Sequence, residues 1–211
     1  RSDVLLSYTM TALLNAAGFV IIPNISGYVQ HNLGAPREQL ETIYFVGGLV
    51  SFVTLRMAGK AVDRLGSFRV GTVGVVLFML TLYMAFIQPP LSVPLVAVFA
   101  LFFLSNGVRN VAYSTLTSKV PEQAIRARFM SFQSAVQHLG AASGAFLSSQ
   151  MLTDLPDGRL GGMTQVVLVS FALSLTLPVM FFLVERRLRE RGLAAGVPLV
   201  AVGAGGGTPR S

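Results

Sequence analysis

The stretch GKAVDRLGSFR, residues 59–69, places a dense group of charges between two long apolar segments of the chain. Five charged residues lie between Arg56 and Arg69, and two glycines flank a central Asp-Arg pair. The apolar segments on either side, about 40–58 and 70–87, are each long enough to cross a bilayer, since about 20 helical residues span its core. The stretch is therefore predicted to be a short link between two membrane spans.

The composition of the whole chain is that of a membrane protein. Of its 211 residues, 53% are hydrophobic and 12% are charged, whereas an average soluble domain has about 25% charged residues. No segment alternates as the strands of a membrane barrel do, and lipid requires every backbone polar group to be satisfied internally, so helices are predicted. The sequence thus predicts an all-α membrane protein with six transmembrane helices, at about 4–28, 40–58, 70–87, 93–116, 129–152 and 163–184.

The lysines and arginines predict the orientation of these spans, because such residues accumulate in short cytoplasmic loops. Only Arg37 and Arg159 fall on the predicted outer side. The asymmetry places both termini of the segment and the 59–69 link in the cytoplasm, and it accounts for the formal charge of +7 by contact with anionic lipid headgroups rather than with nucleic acid. The twelve predicted cytoplasmic residues are Arg1, Arg56, Lys60, Arg64, Arg69, Lys119, Arg126, Arg128, Arg186, Arg187, Arg189 and Arg191.

The spacing inside the link resembles a known signature. The pattern Gly59-x-x-x-Asp63-Arg64-x-Gly66, after the second span of a six-span block, is similar to the loop motif of the major facilitator superfamily of secondary transporters. The family usually continues with two basic residues after the second glycine, whereas here Ser67 and Phe68 precede Arg69. This departure weakens the basic end of the motif.

Longer stretches resemble one branch of that family, the sugar-efflux and drug-efflux (arabinose efflux permease-like) transporters. Residues 21–52 are similar to its seventh and eighth spans, and residues 105–144 to its tenth and eleventh. The resemblance covers residues 4–190 and implies the C-terminal six-helix half of a transporter, in the plasma or inner membrane of a cell. Residues 1–190 form this half-domain, an N-terminal six-helix half is the expected partner, and residues 191–211 are expected to be a disordered cytoplasmic tail.

The resemblance also implies a function. It indicates a secondary active transporter that works by alternating access and exports a small sugar-like or drug-like molecule, with proton antiport as the driving reaction. A six-helix channel or a structural membrane module is the alternative from the residues alone. Saturable, counterflow-capable flux would indicate a carrier, whereas conductance at near-diffusive rates would indicate a pore.

The link supplies candidate gate residues. Asp63 is predicted to lie just past a helix end, where its charge reaches the N-terminal dipole of a neighbouring helix, an attraction of about 0.3–2 kcal/mol. The glycines would permit tight turns and close helix approach. In the family resembled, such links hold the cytoplasmic ends of the two halves together. The alternative is a turn that only fixes topology and caps the third span. The gate candidates are Gly59, Asp63, Arg64, Gly66 and Arg69.

A polar stripe in the fourth span is a candidate cavity wall. Arg109 is the only charge deep within a predicted span, and Asn106, Asn110 and Tyr113 lie three or four residues from it, on one helix face. Charges near the centre of a bilayer cost several kcal/mol and usually have a function. Arg109 is expected either to meet an anionic group of the substrate or partner half, or to reach the cytoplasmic interface.

The first and fifth spans add polar residues to this cavity. In the first span Asn15 and Asn24 are candidate wall residues, with Pro23 allowing a kink. In the fifth, Gln133, Gln137, Gly140 and Gly144 are predicted to share one face, the glutamines for substrate and the glycines for helix packing. His138 is a candidate for proton coupling because histidine titrates near neutral pH, the alternative being a packing hydrogen bond.

The carboxylates lie outside the cavity predicted here. All nine occupy loops, tails or span ends, so the sequence predicts that this half has no buried acid to carry a proton. If transport is proton-driven, the carrier carboxylate is expected in the other half.

Enzyme chemistry has little support in the sequence. Ser143 and His138 lie five residues apart on one helix and point to different faces, unlike the dyad of an intramembrane protease. The chain has no cysteine, no HExxH pattern and no glycine-rich phosphate loop. We therefore expect a transporter that uses neither a metal nor another cofactor.

Replacement of Asp63 by Asn in the assembled transporter tests the gate. The substitution removes the charge and keeps the size, so the outward-facing state should lose up to about 2 kcal/mol of stabilisation. Transport rate and the inward/outward balance, measured by accessibility labelling, should both change. An unchanged rate with an unchanged balance would leave only the topological role.

Overall fold

The computed structural model describes residues 2–88 and 93–192. Within them the chain forms seven α-helices, two of which belong to one interrupted span, and a two-stranded hairpin. The helices are α1 (Ser2–Phe19), α2 (Ile25–His31), α3 (Arg37–Leu65), α4 (Ser67–Leu82), α5 (Leu95–Lys119), α6 (Arg126–Met151) and α7 (Met163–Glu190). Short helical turns are Ile22–Asn24, the π-helical Tyr83–Ile87 that extends α4, and Gln123–Ile125; the strands are β1 (Thr153–Asp154) and β2 (Leu160–Gly161).

The helices form one bundle in which α6 packs on α1, α1 on α7, α7 on α4, α4 on α5, and α5 on α3. Two apolar clusters fill its interior. One lies at the end that carries the α3–α4 junction, which we call the link end, and includes Val62, Leu116 and Phe181. The other lies towards the opposite end and includes Phe78 and Phe99. The all-α prediction is confirmed, with the hairpin as a small addition.

The extent of α3 corrects the prediction for the link. The helix runs without a break to Leu65, so Gly59 lies inside it and Asp63 lies in its last turn rather than past its end. The reason is a buried stripe, Thr54, Ala58 and Val62, whose four-residue spacing continues the packed face of the span through the charged segment. A glycine inside a helix costs only about 1 kcal/mol relative to alanine, so Gly59 does not end the helix.

The turn between the spans is made at Gly66 alone. Its φ of 86° lies in the region that favours glycine, and it ends α3 and begins α4. A Cβ at Gly59 would meet no atom of the described residues within 4 Å, so nothing in this part of the chain requires the first glycine for a turn or a close approach.

Five of the six predicted spans agree with helical segments of the described residues that are long and apolar enough to cross a membrane. These segments are Asp3–His31, Arg37–Leu65, Ser67–Ile87, Leu95–Lys119 and Met163–Glu190. The remaining helix, α6, is 26 residues long but is not among them. Glutamine, serine, histidine and glycine lower its hydropathy, and its membrane crossing stays a prediction. The predicted tail, from residue 193 onward, lies outside the described residues.

The connection between α6 and α7, which contains the hairpin, is hydrogen-bonded to the end of α2. Asn32 donates from Nδ2 to the Leu160 carbonyl and accepts from the Leu160 backbone N–H, both at 2.9 Å. In the same connection, hydrogen bonds from the backbone N–H and the guanidinium of Arg159 hold the pKa of the Asp157 carboxyl below its usual value. The hairpin therefore joins α2 to the connection between α6 and α7, at the end of the bundle opposite the link end.

Two glycines of α6 bring it against the backbone of α1. A Cβ at Gly140 would lie 2.7 Å from the Ala12 carbonyl oxygen, and one at Gly144 would lie 2.5 Å from that of Ala16. Both carbonyls belong to helix backbone, which cannot rotate away as a side chain can. The distance between α1 and α6 is therefore set by the absence of a side chain at these two positions.

Substitution of Gly140 by Ala should destabilise the bundle. The methyl group would force the α1 and α6 backbones apart, and such overpacking costs about 1–3 kcal/mol. Thermal unfolding in detergent, followed by circular dichroism at 222 nm, measures the effect.

Gly48→Ala is the matched control for this substitution. Gly48 also lies inside a long helix, but a Cβ there meets no atom within 4 Å in the part of the chain that the structure describes. Its midpoint should stay level or rise, because alanine favours helix. Equal losses for Gly140→Ala and Gly48→Ala would contradict the close-contact explanation.

Candidate functional site

A polar stripe runs along the buried face of α1. Asp3, Ser7, Thr11 and Asn15 recur every four residues and are each at most 6% exposed. The Thr11 hydroxyl donates to the Ser7 carbonyl at 2.7 Å, and Asn15 Nδ2 donates to the Thr11 carbonyl at 2.8 Å. At the link end Asp3 forms an ion pair with Arg191, which joins the start of α1 to the end of α7. Polar groups thus line the α1 surface that faces the other helices.

Three helices meet through side chains at the level of Thr11. Tyr113 of α5 donates its hydroxyl hydrogen to Thr11 Oγ1 at 3.1 Å, and Gln133 Nε2 of α6 donates to the Tyr113 oxygen at 2.6 Å and also to Thr11. The Gln133 Oε1 atom is buried and accepts no hydrogen bond from the described residues. This three-residue group, which we call the polar cluster, joins α1, α5 and α6 and retains one free acceptor.

Sequence reasoning identified two members of the polar cluster and missed the third. Tyr113 and Gln133 were predicted cavity residues, whereas Thr11 was not. The signal for Thr11 was present, because the four-residue spacing of Asp3, Ser7, Thr11 and Asn15 marks one helix face.

Arg109 lies inside the six-helix bundle. Its side chain is 1% exposed, and the guanidinium carbon sits 3.8 Å from the centre of the Phe78 ring of α4. The NH2 group donates to Asn106 Oδ1 at 2.8 Å, whereas Nε and NH1 are buried without a partner among the described residues. Gly18 of α1 leaves room for the charge, since a Cβ there would lie 3.3 Å from NH2. The arginine is thus enclosed rather than extended to a membrane interface.

The other predicted cavity residues are not all brought together. Asn15 bonds within α1, and Asn24, at the break after α1, donates to the Ser148 hydroxyl of α6 at 3.1 Å. Asn106 supports Arg109. In contrast, Gln137 and His138 are exposed on the outer face of α6, so they do not join Gln133. The predicted common face of Gln133 and Gln137 is divided because the contact with α1 covers only one of them.

At the link end, a glutamate that sequence reasoning did not select caps the start of α4. Glu185 of α7 is 8% exposed, and its Oε2 accepts a 2.6 Å hydrogen bond from the backbone N–H of Phe68. Its Oε1 pairs with Arg189 at 2.5 Å. A carboxylate at this position also interacts favourably with the dipole of α4. We call this arrangement the Glu185 cap.

The Glu185 cap gives the second glycine of the link another role. A Cβ at Gly66 would lie 3.0 Å from Glu185 Oε1, so the turn and the cap both exclude a side chain there. Asp63 and Arg64 are exposed, and within the described residues Asp63 has neither a hydrogen bond nor an ion pair. The only sequence signal for the cap was the four-residue spacing of Glu185 and Arg189, which does not reveal a contact with residue 68.

Replacement of Glu185 by Ala should lower the free energy of unfolding by about 1–3 kcal/mol, the usual cost of leaving a buried hydrogen-bond partner unsatisfied. Glu190→Ala is the matched control, because Glu190 lies on the same helix and pairs with Arg186 at the surface, where ion pairs contribute about 0–1 kcal/mol. Denaturation in detergent at neutral pH measures both. A loss for Glu185→Ala no larger than that for Glu190→Ala would show that the cap contributes no stability.

A comparison with protein families finds a match to the Major Facilitator Superfamily over residues 6–204. Searches of curated proteins and of solved structures find no match. The family match covers nearly all of the chain, and it agrees with the helical fold and with the motif Gly59-x-x-x-Asp63-Arg64-x-Gly66. Members of this family are transporters of small molecules rather than enzymes. The chain therefore belongs to the major facilitator superfamily and is a multi-pass membrane protein of the secondary-transporter class.

Proposed function

We propose that the chain is one six-helix unit of a proton-coupled exporter of small polar or anionic molecules, sugar-like or drug-like in size. The observation that carries the substrate part of this proposal is the state of Arg109. A guanidinium offers five N–H donors, and this one has a single hydrogen-bonded partner among the described residues, Asn106. The unused donors are suited to a carboxylate, phosphate or sulfonate group, or to the hydroxyls of a sugar.

The polar cluster supplies the complementary group. Gln133 Oε1 is a buried acceptor with no described partner. Gln133 lies on α6, but it is joined to α5 by its hydrogen bond to Tyr113, one turn along that helix from Arg109. Buried donors and acceptors that the protein leaves open are those a polar ligand fills at low desolvation cost. The free donors of Arg109 and the free acceptor of Gln133 both favour a ligand that carries an anionic or hydroxyl-rich end.

A second six-helix unit is part of the proposal. The outer face of α3 exposes Tyr44, Phe45 and Phe52, and that of α6 exposes large apolar residues beside Gln137 and His138. Polar side chains on a helix face are unfavourable in contact with lipid tails, so α6 is better placed beside protein or water than beside lipid. A partner unit packed against α3 and α6 would enclose a cavity between the two units, where alternating access operates.

The proton step is assigned to the partner unit or to His138. The prediction that this half has no buried acid is wrong, because Asp3 and Glu185 are buried where each pairs with an arginine, Arg191 and Arg189. Both lie at the link end, and within the described residues no carboxylate lies near the bundle centre. His138 sits on the exposed face of α6, where it would face the cavity between the units. Coupling by export against proton entry rests on the resemblance to the efflux branch, and the excess of basic residues at the link end supports a cytoplasmic location for that end.

The gate residues fit the same arrangement. Asp63, Arg64 and Arg69 are exposed at the link end, so their charges are available to the ends of helices in a second unit. Gly66 and the Glu185 cap hold the turn that presents them. In this proposal the link contributes contacts between units, whereas Glu185 contributes contacts within one unit.

Replacement of Arg109 by Gln tests the substrate assignment. Charge-assisted hydrogen bonds contribute about 1.5–3 kcal/mol, so the apparent KM for an anionic substrate should rise by about tenfold to a hundredfold. Arg109→Lys, which keeps the charge, should lose less. Counterflow in proteoliposomes of the assembled transporter, screened with labelled sugars, sugar acids and anionic dyes, provides the measurement.

Arg187→Gln is the matched control for this test. Arg187 is an exposed arginine in the last turn of α7, away from the faces of α3 and α6 that are proposed to contact the second unit. Transport by Arg187→Gln should remain near that of the unsubstituted protein. If both glutamine variants transport equally, or if only cationic compounds are moved, Arg109 does not bind the substrate.

A further inference from the structure

A cavity of about 650 Å³ opens at the link end among the ends of α3, α4, α5 and α7. Its walls carry more positive than negative charge. Four basic side chains line it against two carboxylates, Asp63 and Glu185. The basic residues are Arg64, Arg69, Lys119 and Arg189.

One of those carboxylates is already neutralised. Glu185 accepts from the Phe68 backbone N–H and pairs with Arg189, so its charge is taken up within the Glu185 cap. The remaining acid, Asp63, is exposed. Three basic side chains therefore face the cavity without an ion-pair partner among the described residues, which makes the cavity suited to an anion that carries more than one oxygen acceptor.

An apolar groove of about 340 Å³ adjoins the cavity on the side of the bundle. It runs between α3 and α4, and Leu104 and Val108 of α5 form its floor. Its walls are mostly aliphatic, as expected of a surface that holds a hydrocarbon chain. Leu65 and Arg69 line both the groove and the cavity, so the two form one continuous feature.

We propose that this feature is a binding site for an anionic phospholipid, with the phosphate in the cavity and one acyl chain in the groove. Arginine guanidinium groups hold phosphate oxygens by paired hydrogen bonds, and lipid tails match the aliphatic groove. The charge distribution of the chain places this end at the cytoplasmic leaflet, where anionic lipids are enriched. The site lies beside the link, so a bound lipid contacts the same arginines, Arg64 and Arg69, that are candidate gate residues.

The basic residues of the cavity would bind a free phosphate ion as well as the phosphate of a lipid headgroup. The apolar groove distinguishes these two ligands, because only the lipid has an acyl chain to fill it. A lipid needs both parts of the site, whereas inorganic phosphate needs only the cavity. An acidic segment of a second six-helix unit is a further occupant of the cavity, and it would exclude lipid from the assembled transporter.

The test uses the full chain in detergent, with bound lipid counted by native mass spectrometry during titration with palmitoyl-oleoyl phosphatidylglycerol or phosphatidylcholine. We expect phosphatidylglycerol to bind more tightly than phosphatidylcholine. Arg69→Gln should weaken phosphatidylglycerol binding about fivefold, the effect of one basic residue near a lipid surface. Arg69→Lys, which keeps the charge but loses the paired hydrogen bonds, should lose less binding than Arg69→Gln, and circular dichroism should show that both variants keep their helix content.

Matched variants separate this site from nonspecific attraction. Arg187→Gln removes an exposed arginine of α7 that does not line the cavity, and it should leave binding unchanged. Val73→Phe fills the groove and should weaken binding, whereas Val76→Phe, on the same helix but outside the groove, should not. Sodium phosphate, compared with chloride at equal ionic strength, should not displace the lipid.

Four results would overturn the proposal. They are equal binding of the two lipids, equal losses for Arg69→Gln and Arg187→Gln, and displacement by inorganic phosphate with no effect of Val73→Phe. The fourth is loss of the lipid when the assembled transporter replaces the single unit, which would assign the cavity to a protein segment.

Discussion

Close contact between helix backbones is the constraint on which the bundle depends. Helices in lipid gain little from the hydrophobic effect when they associate, because lipid tails are as apolar as leucine, so packing at short distance has to hold them together. Glycines provide that distance at the main interfaces. Gly140 and Gly144 face the backbone of α1, Gly74 faces the backbone of α5 at Arg109, and Gly71 faces the Phe181 ring of α7. The inner side chains can then reach one another across the helices.

The membrane spans could be predicted from the sequence because hydropathy and segment length are local properties. The end of α3 carries two opposing signals, because the spacing of Thr54, Ala58 and Val62 continues the helix into the charged stretch, whereas the charges and Gly59 indicate an earlier end. The Glu185 cap could not be predicted from the sequence. It joins residues 68 and 185 across 117 positions, and a glutamate among arginines at a helix end looks like an ordinary surface residue.

Side-chain contacts join α1 to α5, α6 and α7 at three levels of the bundle. Asp3 holds α1 to the end of α7 at the link end, and Thr11 holds it to α5 and α6 in the middle. Asn24, beyond Phe19 and the break in the span, holds it to α6 near the other end. Rigid-body motion of one unit against another is the motion by which transporters of this type alternate access. A unit braced at three levels is suited to that motion, because bending within it would break hydrogen bonds in an environment without water to replace them.

Arg109 is an exception, because this buried side chain is only partly hydrogen-bonded. A stacked aromatic ring contributes about 0.5–2 kcal/mol to a cation, and a hydrogen bond to a charged group about 1.5–3 kcal/mol. Removing a charge from water costs several kcal/mol or more, so Phe78 and Asn106 do not fully offset the burial. Among the described residues the other buried side-chain atoms without a partner are neutral, namely Gln133 Oε1 and the hydroxyls of Ser7, Thr72 and Ser174. Arg109 differs from them because it is a charge, and a buried charge with two unpartnered nitrogens is the state expected of a group whose remaining partner arrives from outside the unit.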